Sequence, residues 1–187
     1  MAALFFDIDD TLIGGLTGTI PESALEALKK VKEQGHEIFI NTGRTICSIP
    51  AMIKNLDFDG YLCGCGTYLV YKQEVLMESH IPYERGVRYI EAMEQYRVEG
   101  FLEGTEDIYF SERISRFEPV ESTKRYMASM GLGTEKTIEK KNFQYDKILV
   151  LTDKHCETEK FFACIEDGME IIDRRGGMYE CIQKGYR

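Results

Sequence analysis

The feature that most constrains the fold is a short apolar run that leads directly into paired carboxylates near the start of the chain. Residues 2–6 read Ala-Ala-Leu-Phe-Phe, and Asp7 and Asp9 follow at once. A short, partly aromatic run of this kind is typical of a strand covered on both faces in a parallel sheet. Because side chains alternate along a strand, Asp7 and Asp9 are predicted to point the same way.

The paired carboxylates are therefore predicted at the carboxyl edge of a sheet. Three glycines soon turn the chain into a loop, namely Gly14, Gly15 and Gly18. In open α/β folds this edge is where ligands bind. Two acids in one crevice can act as nucleophile and general acid or base, or can hold a divalent cation through hard oxygens. The alternative is a solvated acidic turn in which Asp10 or Thr11 caps a neighbouring group.

The following segments alternate between helix and strand patterns. Residues 21–34 form an amphipathic pattern with Leu25, Leu28 and Val31 facing inward, and Gly35 stops this predicted helix. The strand that comes next completes a β-α-β unit. The remaining predicted elements of this part are a strand over 36–41, a helix over 44–56 that Pro50 interrupts, a strand over 60–63, and a hairpin over 67–77 that turns at Lys72 and Gln73.

Two motifs carry a resemblance to a known family. Asp7, Asp9 and Thr11 form D-x-D-x-T after the first strand, and Thr42-Gly43-Arg44 ends the second. In this order the chain resembles the haloacid dehalogenase-like (HAD) superfamily of phosphohydrolases, and within it the Cof-type subfamily. The resemblance implies an α/β fold, with a HAD-like Rossmannoid core around a parallel sheet and an inserted α/β cap of type II.

The resemblance also implies catalytic roles for the matching residues. Asp7 would attack phosphorus and become an aspartyl-phosphate. Asp9 would protonate the departing alkoxide and then take a proton from water, which a carboxyl group can do when its pKa is raised. Thr42 would donate to a phosphoryl oxygen. Mg²⁺ is the implied cofactor, bound by the Asp7 carboxylate and the main-chain carbonyl of Asp9.

Further positions are implied in substrate binding. Thr11 belongs to the first motif. Gly43 lets the backbone approach the ligand closely, and Arg44 is predicted to open a helix whose amino end favours anions. Thr42 can at the same time be an N-cap for that helix. Asp10 occupies a position that is often Gly in the superfamily, and we interpret it as a tolerated loop variant.

The last residues resemble the approach to the third motif of the family, which supplies a Lys that neutralises the phosphoryl group. Strands are predicted over 170–173 and 179–183, and Lys184-Gly185-Tyr186-Arg187 follow. Lys184 is either the catalytic Lys in a shifted register or a bystander, and the bystander interpretation is favoured. The fourth motif, with its acidic Mg²⁺ ligands, has no candidate after Lys184. We therefore expect a chain without the carboxyl-terminal part of a Cof-type core: a truncated product, a fragment or a degenerate member.

The resemblance divides the chain into three parts. Residues 1–82 are predicted as the first part of the core, 83–175 as the cap, and 176–187 as a strand that returns to the core. Pro82 and the segment 174–177 are the expected hinges. The predicted cap elements are a helix marked by Val87, Ile90, Met93 and Tyr96, a strand over 108–110, a helix over 120–130, a strand over 147–151 and a helix over 158–165.

Charge and composition argue against several classes of partner. The net charge of −9 argues against nucleic acid and anionic membranes. No apolar run approaches membrane-spanning length and no signal peptide precedes the first strand, so the expected compartment is the cytoplasm. The six cysteines are interpreted as reduced and structural, because the one close pair, Cys63 and Cys65, is a weak zinc signal. Three scattered histidines are expected at the surface or at strand ends: His36, His80 and His155.

The expected partner is a small phosphorylated metabolite, with a sugar phosphate first and other phosphate esters or a flavin nucleotide behind it. Cations of the cap that could meet an anionic substrate are more simply interpreted as surface charges, and these are Arg113, Arg116, Lys124 and Arg125. Aromatic residues of the cap are likewise interpreted as packing residues, namely Tyr109, Phe110 and Phe117.

Other functions remain open at this point. A catalytically disabled HAD-like protein would fit the unmatched fourth motif, and a phosphomutase is a variant of the enzyme interpretation. A phosphoacceptor receiver-like domain, with Asp57 or Asp59 as acceptor, is a further alternative. An incomplete core would expose a sheet edge, so self-association through that edge is also expected.

Overall fold

The computed structural model describes residues 1–14 and 18–186, so the predictions for Gly15 and Arg187 lie outside the described residues. The chain divides into two compact units, Met1–Glu78 and Ser79–Arg187. Each unit contains one five-stranded sheet. In the described part of the chain no helix is both long and apolar enough to cross a membrane.

The first unit has the predicted parallel sheet. Strands β1 (Ala3–Phe6), β2 (Glu37–Asn41) and β3 (Gly60–Cys63) run parallel, and helix α1 (Glu22–Glu33) connects the first two. Strands β4 (Tyr68–Tyr71) and β5 (Glu74–Glu78) continue the sheet in antiparallel pairing, in the order β1-β2-β3-β4-β5. The β-α-β unit expected from the sequence is therefore confirmed.

The first strand is less buried than its apolar sequence predicts. β1 is an edge strand of the described sheet, and Phe5 remains half exposed. The apolar cluster of this unit lies instead around Ile8, Ile40 and Ile53, which are fully buried. On α1, Leu28 packs into this cluster as predicted, whereas Leu25 stays exposed.

The helix predicted over 44–56 is wrong as a continuous element. A single 3₁₀ turn covers Ile46–Ser48, and the short helix α2 covers only Ala51–Lys54. Pro50 explains the break, because a proline inside a helix lacks the N–H and forces the preceding residue toward extended backbone. Ile49 has that conformation, with φ −68° and ψ 126°.

The hairpin that closes the first sheet turns where the sequence predicts. Lys72 and Gln73 join β4 to β5, and both have positive φ, 47° and 70°. Two consecutive left-handed residues define the type I′ turn, whose twist suits a two-residue hairpin.

The second unit is built on an antiparallel sheet in the order β7-β6-β8-β10-β9. Its strands are β6 (Glu99–Glu103), β7 (Ile108–Tyr109), β8 (Lys147–Leu151), β9 (Met169–Asp173) and β10 (Met178–Gln183). Its helices are α3 (Tyr83–Gln95), α4 (Glu118–Ser129) and α5 (Thr158–Ile165). Tyr109 and Phe110 are buried, as expected of packing residues.

The predicted domain organisation needs three corrections. Residues 176–187 were expected to return to the core, but β10 pairs with β8 and β9 in the second sheet. The segment 174–177 was expected to be a hinge, but it is the turn between two hydrogen-bonded strands, with Arg175, Gly176 and Gly177 all at positive φ. The division also falls before Ser79, because the Ile81 N–H already donates to the Tyr145 carbonyl at 2.9 Å.

His80 lies two residues after the end of β5, one of the two kinds of position expected for the histidines, and it is mostly buried. Its side chain is 18% exposed, and its Nδ1 lies 2.6 Å from Oδ1 of Asp146, which is fully buried. A buried carboxylate requires a partner of this kind, because desolvation without one is costly. His36 also lies at a strand end, directly before β2, where its Nδ1 accepts the Ala2 N–H at 3.1 Å.

Candidate active site

The predicted site residues of the first unit gather at the carboxyl ends of its parallel strands. Asp7 follows β1 and Thr42 follows β2, and the register pairs Phe6 with Ile40. The Thr42 N–H donates to the Leu62 carbonyl of β3 at 2.9 Å. Because these strands are parallel and in contact, their carboxyl ends form one edge of the sheet.

The loop that carries the carboxylates is held by main-chain hydrogen bonds. The buried Ile8 accepts the N–H groups of Leu12 at 3.1 Å and Ile13 at 2.9 Å through its carbonyl. Its own N–H donates to Oδ1 of Asp7 at 2.7 Å. The side chains of Ile8 and Leu12 thus anchor the loop in the core while the carboxylates of Asp7 and Asp9 stay exposed.

Asp10 adopts the left-handed conformation, with φ 57°. Glycine reaches this region without a steric penalty, and Asp and Asn are the side chains that most often tolerate it. This conformation gives a physical reason why an Asp can stand at a position where the resemblance expects Gly.

Arg44 forms a bidentate ion pair with Asp9. Its Nε and Nη2 each lie 2.8 Å from a different oxygen of that carboxylate, and its Nη1 donates to the Ser48 carbonyl at 3.2 Å. Hydrogen bonding and the charge of Arg44 lower the pKa of Asp9 despite partial burial. The raised pKa expected for this carboxyl group is therefore not found in this arrangement.

Thr42 and Arg44 do not open a helix, so the predicted helix N-terminus for anion binding is wrong here. Thr42 is buried, and its Oγ1 accepts the Arg44 N–H at 3.3 Å. Among the described residues, the Thr42 hydroxyl takes part in a hydrogen bond only as an acceptor. Its proton is therefore available to donate to a ligand. Instead of entering a helix, the chain crosses to the end of β3, where the Gly64 N–H donates to the Arg44 carbonyl at 2.8 Å.

The sequence reasoning missed two features of this edge. One is the pairing of Arg44 with Asp9 across 35 positions of sequence. The other is Cys65, whose Sγ lies 3.9 Å from the Gly43 carbonyl and whose φ is 57°. The only signal for Cys65 was its position beside Gly66 at a strand end, and no local pattern indicated the ion pair.

Of the two other predicted site residues, Thr11 belongs to the first unit and Lys184 to the second. Thr11 is exposed in the loop after Asp9, and its N–H makes a long bond of 3.4 Å to the Ile8 carbonyl. Lys184 belongs to the second unit, where it follows β10 and its N–H donates to the Gly168 carbonyl at 3.0 Å. Its side chain is exposed.

Two oxygen atoms of the loop after β1 are suitable ligands for a hard cation, which would need further ligands such as water. The Asp9 carbonyl accepts no hydrogen bond within residues 1–14 and 18–186, and one Asp7 carboxylate oxygen is likewise unused. Two such oxygens match the Mg²⁺ preference for a few protein ligands completed by water. No set of three His, Cys, Asp or Glu side chains that could hold a metal occurs among the described residues.

Asp57 and Asp59 do not lie at this edge, so the receiver-like interpretation is wrong. Both precede β3, at the opposite end of the parallel strands. Lys32 Nζ lies 2.6 Å from Oδ2 of Asp57, and Oδ2 of Asp59 accepts the Ile38 N–H at 2.9 Å. These carboxylates tie α1 and β2 to the start of β3.

The cations of the second unit are engaged by local partners, in agreement with their interpretation as surface charges. Arg116 pairs with Glu99 and lies 3.4 Å from Asp153, and Lys124 Nζ donates to the Ser111 carbonyl at 2.7 Å. Arg113 and Arg125 pair with Glu94 and Glu118 respectively.

A sheet edge with D-x-D-x-T on one strand and T-G-R on its neighbour is the arrangement expected of the HAD class. The sequence profile described as haloacid dehalogenase-like hydrolase matches residues 4–186, so the chain belongs to this family.

Individual relatives cover different shares of the chain. YkrA of Bacillus subtilis (strain 168), provisionally named a phosphatase, is 28% identical over 46% of this chain and 32% of its own length. The pyridoxal phosphate phosphatase YbhA of Escherichia coli (strain K12) is 29% identical over 51% of this chain and 36% of its own. The matched segments thus span about a third of the length of these curated relatives.

Solved structures match the chain over nearly its whole length. The HAD subclass IIB sugar phosphatase BT4131 aligns with a TM-score of 0.75 and 26% identity, over 99% of this chain and 71% of that one. BT1666 from Bacteroides thetaiotaomicron aligns with a TM-score of 0.77 and 21% identity, over 100% of this chain and 68% of that one. At 21% identity, the similarity to BT1666 shows only that the fold is shared.

Proposed function

We propose that this chain hydrolyses a small phosphate monoester, with Asp7 as the nucleophile. The observation that carries the proposal is the meeting of Asp7, Asp9, Thr42 and Arg44 at the carboxyl edge of one parallel sheet. Family membership and the sugar phosphatase likeness support it, and a sugar phosphate is the first substrate class. Pyridoxal phosphate is the second, because it is the substrate that the name of YbhA gives.

In the proposed first step an Asp7 carboxylate oxygen attacks phosphorus. Oδ1 already accepts the Ile8 N–H, so the oxygen that attacks is Oδ2. The new O–P bond forms as the ester P–O bond breaks, and the departing alkoxide takes a proton from Asp9. Thr42 donates its hydroxyl proton to a phosphoryl oxygen, which stabilises the spreading negative charge.

In the proposed second step Asp9 acts as a base. Its carboxylate takes a proton from a water molecule, the water oxygen attacks phosphorus, and the bond from phosphorus to Asp7 breaks. Inorganic phosphate leaves and Asp7 is again a carboxylate. The low pKa of Asp9 beside Arg44 suits this step, because the base must be ionised.

The first step needs Asp9 protonated, and Arg44 opposes that while it is paired with Asp9. A bound phosphate is a second anion of matching bidentate geometry, so it competes for the guanidinium group. As Arg44 turns from Asp9 to the phosphate, the pKa of Asp9 rises toward its usual range. The negative charge of the bound phosphate raises this pKa further, which favours the protonated Asp9 that the first step needs.

Mg²⁺ would be held by the Asp7 carboxylate and the Asp9 main-chain carbonyl, with water completing its shell. When bound there it would offset the charge of the carboxylate and of the phosphoryl oxygens.

The test is hydrolysis of p-nitrophenyl phosphate with and without Mg²⁺. We expect turnover that falls by about a thousandfold or more in Asp7→Asn and Asp9→Asn, as for other essential groups. Asp10→Asn is the matched control, because Asn also tolerates the left-handed conformation and Asp10 has no role in the proposed chemistry. Equal loss in Asp10→Asn, or unchanged turnover in Asp7→Asn, would contradict the assignment.

The catalytic role of Lys184 is a separate proposal. Lys184→Met should lower turnover strongly if this ammonium group neutralises the phosphoryl charge, whereas Lys154→Met, another exposed lysine of the second unit, should not. Equal rates in both variants would make Lys184 a bystander. Folded wild-type protein without any turnover would favour the catalytically disabled interpretation over hydrolysis.

A further inference from the structure

We propose that the second unit contains a separate binding cavity for an apolar molecule that carries one cationic amine. The cavity has a volume of about 440 Å³, within the range typical of small-molecule sites. Its walls are α3, residues 98–100, the segment 110–115, α4 and the segment 138–143. All of these lie in the unit Ser79–Arg187, so the cavity belongs to one compact body.

The cavity has a mainly apolar lining. The apolar side chains that line it include Val87, Ile90, Phe110, Val120, Ile138 and Phe143. On α3 the lining positions run from Val87 to Glu94, which corresponds to about 10 Å at 1.5 Å per residue. A lining of this length accommodates an aliphatic or aromatic group of roughly six to eight carbons.

The segment 111–116 forms a fixed rim over this lining. Glu139 accepts the Ser111 hydroxyl and the Glu112 N–H, and Glu121 accepts the Ser115 N–H at 2.8 Å. Glu99 accepts the Ser115 hydroxyl at 2.5 Å and pairs with Arg116. Three carboxylates of the cavity wall are therefore already used to hold the rim in place.

The remaining charges favour a cation. Five carboxylates and three cations line the cavity, and Glu91 has no hydrogen bond or ion pair within residues 1–14 and 18–186. Lys124 keeps its charge, and its Nζ is held at the rim by the Ser111 carbonyl at 2.7 Å. Lys141 lies near the start of α3, where its carbonyl accepts the Tyr83 hydroxyl, and eight residues of helix, about 12 Å, separate Tyr83 from Glu91.

An amine placed beside Glu91 would meet a carboxylate that has no partner among the described residues. An anionic ligand would face the excess of carboxylates instead, so the cavity does not suit a phosphorylated substrate. At the rim, Ile114 leaves 87% of its surface in solvent. An apolar ligand would cover part of this side chain and gain from its burial.

The experiment compares three probes of equal length, hexylammonium, 1-hexanol and hexanoate, by NMR titration of methyl-labelled protein. We expect hexylammonium to bind most tightly and hexanoate most weakly, with shifts concentrated at Val87, Ile90 and Ile114. Glu91→Gln should weaken hexylammonium about fivefold, the upper range for an exposed ion pair, and leave 1-hexanol unchanged. Glu84→Gln is the matched control, because Glu84 is on α3 but does not line the cavity.

Ile90→Trp provides the complementary variant, because the larger ring narrows the cavity next to Glu91 and should weaken the binding of every probe. Circular dichroism checks that this variant is folded, and the exposed Glu91→Gln does not depend on that check. Equal affinity for all three probes, or shifts elsewhere in the unit, would overturn the proposal. The outcome is independent of phosphatase activity, since no probe carries phosphate.

Discussion

At the scale of single residues, the ion pair between Arg44 and Asp9 determines the charge at the candidate site. The guanidinium group lowers the pKa of Asp9, so removing it should raise that pKa toward its usual range. We predict this rise in Arg44→Ala, measured by NMR titration of the Asp9 carboxyl carbon. Lys29→Ala is the control, because Lys29 is an exposed cation of the same unit that pairs with Glu33. An Asp9 titration that stays unchanged in Arg44→Ala would show that the pair does not persist in solution.

A second residue-scale feature is a buried ion network on the second sheet. Lys147 pairs with Glu180 and lies 3.4 Å from Glu103, and Arg174 Nε donates to Glu180 at 3.0 Å. Lys147, Glu180 and Glu103 are all buried. Removing one partner of such a pair leaves a buried charge without full compensation, which costs about 3–5 kcal/mol.

We therefore predict that Glu180→Gln destabilises the second unit by about 3 kcal/mol. Burial alone raises the pKa of Glu180, but Lys147 and Arg174 outweigh it and lower the pKa overall. A lowered pKa contributes stability above the usual Glu range, and this stability is lost as the pH falls through the lowered value. Urea unfolding from about pH 7 to pH 3 should show a steeper acid loss in wild type than in Glu180→Gln. Glu159→Gln, an exposed change on α5, should follow wild type.

At the scale of elements, the β4–β5 turn carries a local backbone cost. Gln73 has φ 70°, and a left-handed non-glycine residue costs about 1–2 kcal/mol. Glycine removes that cost but loses about 0.5–1 kcal/mol of backbone entropy. We predict that Gln73→Gly stabilises the first unit by about 0.5 kcal/mol and that Gln73→Val destabilises it. Lys72 is left unchanged in both variants because its Nζ lies 2.9 Å from Oε1 of Glu37. Unfolding curves that rank the two variants in the opposite order would contradict a type I′ turn.

The elements that could be predicted from sequence are those whose signal is local. The apolar run of β8 and the turn residues Lys72 and Gln73 are of this kind. β6 was not predicted, because its sequence Glu-Gly-Phe-Leu-Glu has little apolar character and contains a glycine. The structure explains Gly100 by contact with another strand, since a Cβ there would lie 2.0 Å from the Leu149 carbonyl oxygen.

The candidate site likewise contains residues with a local sequence signal and residues whose contacts depend on distant parts of the chain. Asp7, Asp9 and Thr42 could be placed at one edge because Asp7 and Thr42 directly follow strands of recognisable pattern and Asp9 lies two residues after Asp7. The pairing of Arg44 with Asp9 could not, since it depends on how two loops 35 positions apart are folded. For a similar reason the helix expected at Arg44 was wrong: Pro50 was visible in the sequence, but the crossing of the chain to β3 was not.

At the scale of the whole molecule, the predicted boundaries of the two units differ from the observed ones because strand pairing is not a local property of the sequence. β10 is a strand by its own sequence, but only its pairing with β8 and β9 assigns it to the second unit. Each unit has an apolar cluster of its own, and the two clusters share no residue. Two clusters without shared residues indicate two units that can lose stability separately.

This separation leads to a prediction with a matched pair of variants. Ile40 belongs to the cluster of the first unit and Ile148 to that of the second, and both are fully buried in a strand. Ile→Ala at either position removes the same atoms and should cost about 2–5 kcal/mol. Native-state hydrogen exchange measures this loss of stability separately in each unit. Ile40→Ala should accelerate exchange in β2 and β3 and leave β8 and β10 unchanged, and Ile148→Ala should do the reverse. Acceleration of both sheets by either variant would mean that the chain unfolds as one cooperative body, because the loss of one core would then be felt in the other.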